Sequence, residues 1–66
     1  MSESLSDLAD AISSLERRVS DVIFDSVRAQ LRDDEADDAR ELEKRLSRVR
    51  RSLQKAEGLL RGYDAD

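Results

Sequence analysis

Large apolar residues recur along this 66-residue chain in steps of three and four. That spacing is typical of helices that pack against other helices. The chain has no proline, and its two glycines, Gly58 and Gly62, lie near the end. Nothing therefore interrupts a helix through either apolar series, and the sequence predicts an all-α protein. The two series are Leu5, Leu8, Ile12, Leu15, Val19 and Val22, and then Leu42, Leu46, Val49, Leu53, Ala56, Leu60 and Tyr63.

The two series are out of phase, and the segment between them predicts a break. No large apolar residue occurs from Asp33 to Glu41. This acidic stretch suits the start of a helix, where Asp33 or Asp34 can cap and further acids favour the positive end of the helix dipole. We therefore expect a single domain over residues 1–66, with helix 1 over about 4–32, an acidic turn over about 33–36, helix 2 over about 36–61 and a short tail over 62–66.

An antiparallel hairpin brings the two series into register. Facing positions then add up to a nearly constant value of about 68 or 69, and both series run out together, at Leu5 and Tyr63. The sequence thus predicts a coiled-coil-like antiparallel hairpin, and the alternative is one uninterrupted helix in a long coiled coil. The expected pairs are Val27 with Leu42, Ile23 with Leu46, Val19 with Val49, Leu15 with Leu53, Ile12 with Ala56, Leu8 with Leu60 and Leu5 with Tyr63.

Three consecutive apolar residues, Val22, Ile23 and Phe24, need more cover than one hairpin provides. Successive helical residues turn by about 100°, so this run spans about 200° of the helix, and Val22 and Phe24 lie on the two flanks of the seam. We expect a second hairpin to cover them, giving a homodimeric four-helix bundle. The alternatives are a docking patch for another protein and a stray exposed apolar residue. The predicted interface comprises Val22, Ile23, Phe24, Val27 and Leu59.

Composition supports self-association and limits the available chemistry. A chain of this length has a marginal core and usually needs a further support. Cysteine and histidine are both absent, which leaves no disulfide and neither of the commonest transition-metal ligands. The net charge is -4, no apolar stretch is long enough to span a membrane, and residues 1–6 do not resemble a signal peptide. These features predict a cytoplasmic protein.

The segment "KRLSRVRRSLQK", residues 44–55, contains six basic residues and no acid. A helix with this face could bind phosphates through Arg45, Arg48, Arg51 and Lys55. However, the aromatic residues Phe24 and Tyr63 lie outside the segment, so no base-stacking platform is indicated. Arg45 can also pair with Glu41 on its own helix or with Asp25 across the hairpin. A solvated, ion-paired face is the favoured interpretation.

No motif indicates a metal site, a cofactor or catalysis. The alternating acids from Asp33 resemble a calcium-binding loop, but Asp38 occupies the position that needs glycine and Lys44 the position that needs glutamate. Serine residues lie at helix starts or exposed positions, and a hairpin encloses little pocket in which a nucleophile and a base could meet. The sequence therefore predicts a non-enzymatic interaction or assembly module that self-associates and binds a protein partner, with a small nucleic-acid-binding regulator as the alternative.

Overall fold

Two long helices make up the protein in a computed structural model, which describes residues 4–31 and 36–62. Helix α1 runs over Leu5–Gln30 and helix α2 over Ala36–Arg61, and the two pack against each other as in a helical hairpin. The predicted all-α class and the packing of two helices are confirmed. The proposed caps Asp33 and Asp34, the first three positions of the calcium-like loop and Tyr63 of the Leu5–Tyr63 pair lie outside the described ranges.

Helix α1 begins with a reciprocal capping interaction. The backbone N–H of Asp7 donates to Ser4 Oγ at 3.0 Å, and the backbone N–H of Ser4 donates to Asp7 Oδ2 at 3.5 Å. Two backbone donors that have no partner within the helix are satisfied in this way. The spacing of Ser4 and Asp7 predicts this arrangement, and the structure shows it.

The helix ends are closed by local backbone hydrogen bonds. At the end of α1, the N–H of Leu31 donates to the carbonyl of Arg28 at 3.1 Å. At the end of α2, Gly62 has a φ of +84° and its N–H donates to the carbonyl of Leu59 at 3.2 Å. A positive φ at this position is strained for a residue with a side chain, so glycine suits the end of α2.

Three parallel stripes along α1 explain how the run Val22–Ile23–Phe24 is distributed. Residues seven apart share nearly the same direction, and consecutive residues differ by about 100°. The stripe that faces α2 includes Ala9 and Ile23, which are both buried. The residue before each of these points to one side of the hairpin and the residue after it to the other. Val22 and Phe24 therefore lie on opposite sides, as the sequence predicts.

Helix α2 repeats this arrangement in the opposite chain direction. Its half-buried seam residues include Glu43, Arg50 and Glu57, and the residues just before Glu43 and Arg50 are Leu42 and Val49. Because the helices are antiparallel, residues that precede the seam on either helix lie on the same side of the hairpin. A single groove lined by Val22, Ala29 and Leu42, among others, confirms this.

The seam itself is less apolar than the sequence predicts. Leu8 and Leu15, placed in the seam by their heptad spacing, are about 40% exposed, and so are Leu42 and Val49, which the sequence pairs with Val27 and Val19. The most buried positions between the helices are Ile23 and three small residues, Ala9, Ser26 and Ala39. Ser26 is satisfied within α1, since its Oγ donates to the carbonyl of Val22 at 3.0 Å. The physical reason is that polar residues of α2 bind residues of α1 on one side, which turns the leucine stripe towards the other.

The capping interaction gives a stability prediction. Ser4→Ala removes the acceptor for the N–H of Asp7 and should lower the free energy of unfolding by about 1 kcal/mol. Urea denaturation followed by circular dichroism at a fixed protein concentration measures this. The control is Ser14→Ala at an exposed position inside α1, where alanine should leave stability unchanged or slightly higher. Equal stability of the two variants would contradict a contribution from the cap.

Candidate functional site

One side of the hairpin carries a row of half-exposed aliphatic side chains, which we call the aliphatic face. On α1 they repeat every seven residues, and on α2 two more lie beside them. Each is between 38% and 44% exposed. Part of this face forms an open groove of about 330 Å³ between the helices. The members are Leu8, Leu15, Val22, Leu42 and Val49.

The described residues do not form a large apolar core beneath this face. Among residues 4–31 and 36–62, no large side chain is fully buried, and the buried apolar residues are Ala9, Ile23 and Ala39. The molecule is only 12 Å thick, about the diameter of one helix with its side chains. The hairpin is thus a single layer of helices, and its largest aliphatic residues gain only part of the burial that would stabilise it.

The opposite side, which we call the polar side, is held by hydrogen bonds between the helices. Gln30 Nε2 donates to Glu43 Oε1 at 2.6 Å, and Arg50 Nη1 donates to Ser20 Oγ at 3.4 Å. Arg61 Nη2 donates to Asp10 Oδ1 at 3.0 Å. These hydrogen bonds run along most of the hairpin, so they fix the register of α2 against α1.

Two glutamates meet within this polar side. A hydrogen bond with Glu57, burial between the helices and the negative charge of Glu57 all raise the pKa of Glu16. The same hydrogen bond, together with one from Arg61 Nε at 2.8 Å, lowers the pKa of Glu57. Glu16 Oε2 is buried and has no hydrogen-bond partner among the described residues. A proton on Glu16 lets it donate to Glu57, which explains the opposite shifts.

The five residues predicted as an interface lie in different places. Val22 belongs to the aliphatic face, whereas Ile23 is buried against α2. Phe24 is 63% exposed on the edge of the polar side, with the Arg28 guanidinium 5.4 Å from the ring centre. Val27 is half-exposed on the polar side, and Leu59 is exposed on the outer surface of α2. The structure therefore does not bring these five together on one surface.

The sequence interpretation missed the exposure of Leu8, Leu15, Leu42 and Val49. The sequence carries no signal for this exposure, although Leu15 directly precedes Glu16 and Leu42 directly precedes Glu43. In each case two adjacent residues compete for the seam, and the acid lies closer to the facing helix. The heptad pattern alone predicts that the leucine of each pair is buried in the seam and that the adjacent acid is exposed, which is the reverse of what the structure shows.

The four basic residues proposed for nucleic-acid contact lie on exposed positions of α2. Arg45 and Arg48 line an open groove of about 640 Å³ together with Val49 and Leu53. Ion pairs within the described parts of the chain join Arg40 to Asp37 and Arg61 to both Asp10 and Glu57. The pairs predicted for Arg45, with Glu41 and with Asp25, are not among them.

Other classes of site receive no support from the described residues. Within residues 4–31 and 36–62, no cluster of three or more acidic side chains could hold a metal ion. Neither α1 nor α2 has an apolar stretch of sufficient length to cross a membrane. Comparison of the chain with family models, curated proteins and solved structures finds no match.

The Glu16–Glu57 pair predicts a specific pH dependence. Folding raises the pKa of Glu16 above its ordinary value of 4.5, so the folded state binds this proton more tightly and stability should rise as pH falls from neutral towards 4.5. Glu57 has a lowered pKa in the folded state. Its contribution to the stability of the fold is therefore present above pH 4.5 and is lost as the pH falls through that lowered pKa.

Glu16→Gln should therefore raise the thermal midpoint at neutral pH and remove most of its rise on mild acidification, because an amide donates to Glu57 as the protonated carboxyl does. Thermal unfolding by circular dichroism at about pH 7 and about pH 5 measures both effects. Asp21→Asn is the control, since it removes one negative charge at an exposed position. Identical pH profiles for the two variants would refute a shared proton.

Proposed function

We propose that this protein is a non-enzymatic helical assembly module that self-associates through its aliphatic face. The observation that carries the proposal is the segregation of the hairpin surface into two sides. The polar side joins the two helices by hydrogen bonds, while the aliphatic face leaves its largest side chains partly exposed. A contiguous row of such residues on a small protein is typical of an interaction surface.

The dimensions of the aliphatic face favour a helical partner. Leu8, Leu15 and Val22 are spaced by two helical turns each, so they follow a line along α1, and Leu42 and Val49 follow a parallel line along α2. Two such lines with the shallow groove between them accept the ridges of another helix pair. A second hairpin presents that shape and gives a four-helix bundle.

Matched valine substitutions test which side of the hairpin associates. Val22→Thr with Val49→Thr keeps the side-chain shape but places hydroxyls on the aliphatic face, so it should raise the dimer dissociation constant at least tenfold, because buried hydroxyls cost about 1 kcal/mol or more each. Val27→Thr makes the same change at a similarly exposed position on the polar side. This variant should leave the dimer dissociation constant unchanged. Sedimentation equilibrium gives the constants.

The mass of the wild-type protein in solution tests whether it self-associates at all. A species of twice 7.5 kDa supports self-association, and a 7.5 kDa species at all accessible concentrations would refute it. Phe24→Ala tests the other exposed apolar region. If this variant dissociates while the Val22 and Val49 variant does not, association uses the edge of the polar side and the proposed face is wrong.

The basic surface of α2 supports a second candidate function, the binding of nucleic acid. Its carrying observation is that Arg45 and Arg48 line one open groove and take no part in the ion pairs of the described residues. Free basic side chains along one helix can follow a phosphate backbone. The net charge of -4 opposes binding over the rest of the surface.

A salt titration tests this second candidate. If Arg48 and Arg51 bind phosphates, affinity for duplex RNA or DNA should weaken with salt. Changing both to Ala should then reduce the slope of log affinity against log salt by about 0.9 for each phosphate that the variant no longer neutralises. Arg17→Ala with Arg28→Ala removes the same charge from α1 and should have a smaller effect. Equal effects of the two double variants, or no binding at low salt, would exclude a specific basic site.

A further inference from the structure

We propose that the second copy stacks with each α1 against the partner subunit's α2, about a twofold axis parallel to the helices. Both hairpins then have their α1-to-α2 connections at the same end of the bundle. This inference rests on the proposed self-association and adds the orientation of the partner. The charges that border the aliphatic face carry it.

Two twofold arrangements can stack one aliphatic face on another. An axis parallel to the helices places α1 against the partner's α2 at the same level along the bundle. An axis across the helices places α1 against the partner's α1, running in the opposite direction. Both arrangements make all neighbouring helices antiparallel, so helix packing alone does not choose between them.

The outer edges of the aliphatic face carry different residues on the two helices. On α1 the edge holds Ala11, Arg18 and Asp25, seven residues apart, and Asp25 lines the same groove as Val22 and Leu42. On α2 the edge holds Arg45, Ser52 and Leu59, also seven apart. Arg45 and Ser52 line a groove with Val49.

The hydrogen bond between Ser20 and Arg50 indicates, to within about one helical turn, which residues lie at the same level, since the bonds of Asp10 with Arg61 and of Gln30 with Glu43 shift this register by one and three residues. Both helices rise by about 1.5 Å per residue and run in opposite directions, so each step forward along α1 matches one step back along α2. Five steps from that bond, Asp25 is level with Arg45. Two steps the other way, Arg18 is level with Ser52.

When the twofold axis is parallel to the helices, the outer edge of α1 meets the outer edge of the partner subunit's α2, and residues at the same level face each other. The crosswise axis does not bring these two edges together. Asp25 then faces Arg45 of the partner subunit, and Arg18 faces the partner's Ser52. Further along, Ala11 faces the partner's Leu59. An acid meets a base, a guanidinium meets a hydroxyl, and an apolar residue meets an apolar residue. Such complementarity at the rim of an interface favours one orientation over others.

The crosswise arrangement produces poorer neighbours at the same edges. Each α1 edge then faces the equivalent edge in reverse order, so Arg18, near the middle of α1, lies near the partner's Arg18. Asp25 lies near the partner's Ala11, which offers no charge. Like charges placed opposite each other oppose association.

Asp25 and Arg45 are free to contact a partner. They lie on the two outer edges of the aliphatic face, one on each helix, and both are exposed. Neither takes part in the ion pairs that the described residues form. Among residues 4–31 and 36–62, no ion pair neutralises their charges.

Charge reversal tests the orientation directly. Asp25→Arg and Arg45→Asp should each raise the dimer dissociation constant at least tenfold at low salt, since each homodimer then contains two pairs of like charges. An equimolar mixture should recover nearly wild-type affinity, because each pair in the mixed dimer joins opposite charges. Matched controls are Asp21→Arg and Arg51→Asp, which change the net charge equally at exposed positions away from the edge and should have smaller effects.

Each outcome separates the orientation from the proposed function. A wild-type chain that stays at 7.5 kDa overturns both. A wild-type dimer in which the edge variants dissociate no more than their controls, or in which the mixture does not recover, overturns the orientation alone. Recovery in the mixture and weakening in each single variant support it, because only interactions between subunits can be rescued in this way.

Discussion

A layer of two helices can enclose only one stripe of each helix, and the rest of this structure follows from that limit. Side chains on either side of the seam remain at the surface unless something covers them. In this protein the two sides differ in chemistry. Glutamate, arginine, glutamine and serine form hydrogen bonds between the helices on one side, while leucine and valine occupy the other. The hairpin thus resembles half of a larger helical bundle.

The polar side fixes the pairing of the helices at a cost in stability. Glu16 has a buried carboxyl oxygen without a hydrogen-bond partner among the described residues, and its carboxyl lies close enough to Glu57 to shift both pKa values in opposite directions. Apolar residues at the same positions would bury more surface. They would also permit other registers, whereas polar interactions that form in only one register favour a single alignment.

Both grooves of the described residues lie at the surface of the hairpin. The two grooves of the described residues are open, one lined largely by aliphatic groups and one bordered by arginine and lysine. Neither encloses a pair of groups that could act as nucleophile and base while water is excluded. The aliphatic face and the ion pairs of Arg61 lie on opposite sides of the hairpin, whereas the basic groove of α2 adjoins the aliphatic face at Val49.

The sequence by itself determined the helices and their approximate ends. Spacing of three and four, the absence of proline and the Ser4–Asp7 pair each depend on residues close together in the chain, so local rules predict them. Tertiary structure decided which neighbour enters the seam. Leu15 and Glu16 differ by about 100° around α1, and in the folded hairpin Glu16 lies beside Glu57 and Arg61 of α2 while Leu15 stays half-exposed. That choice depends on residues some forty positions away, which heptad spacing does not describe.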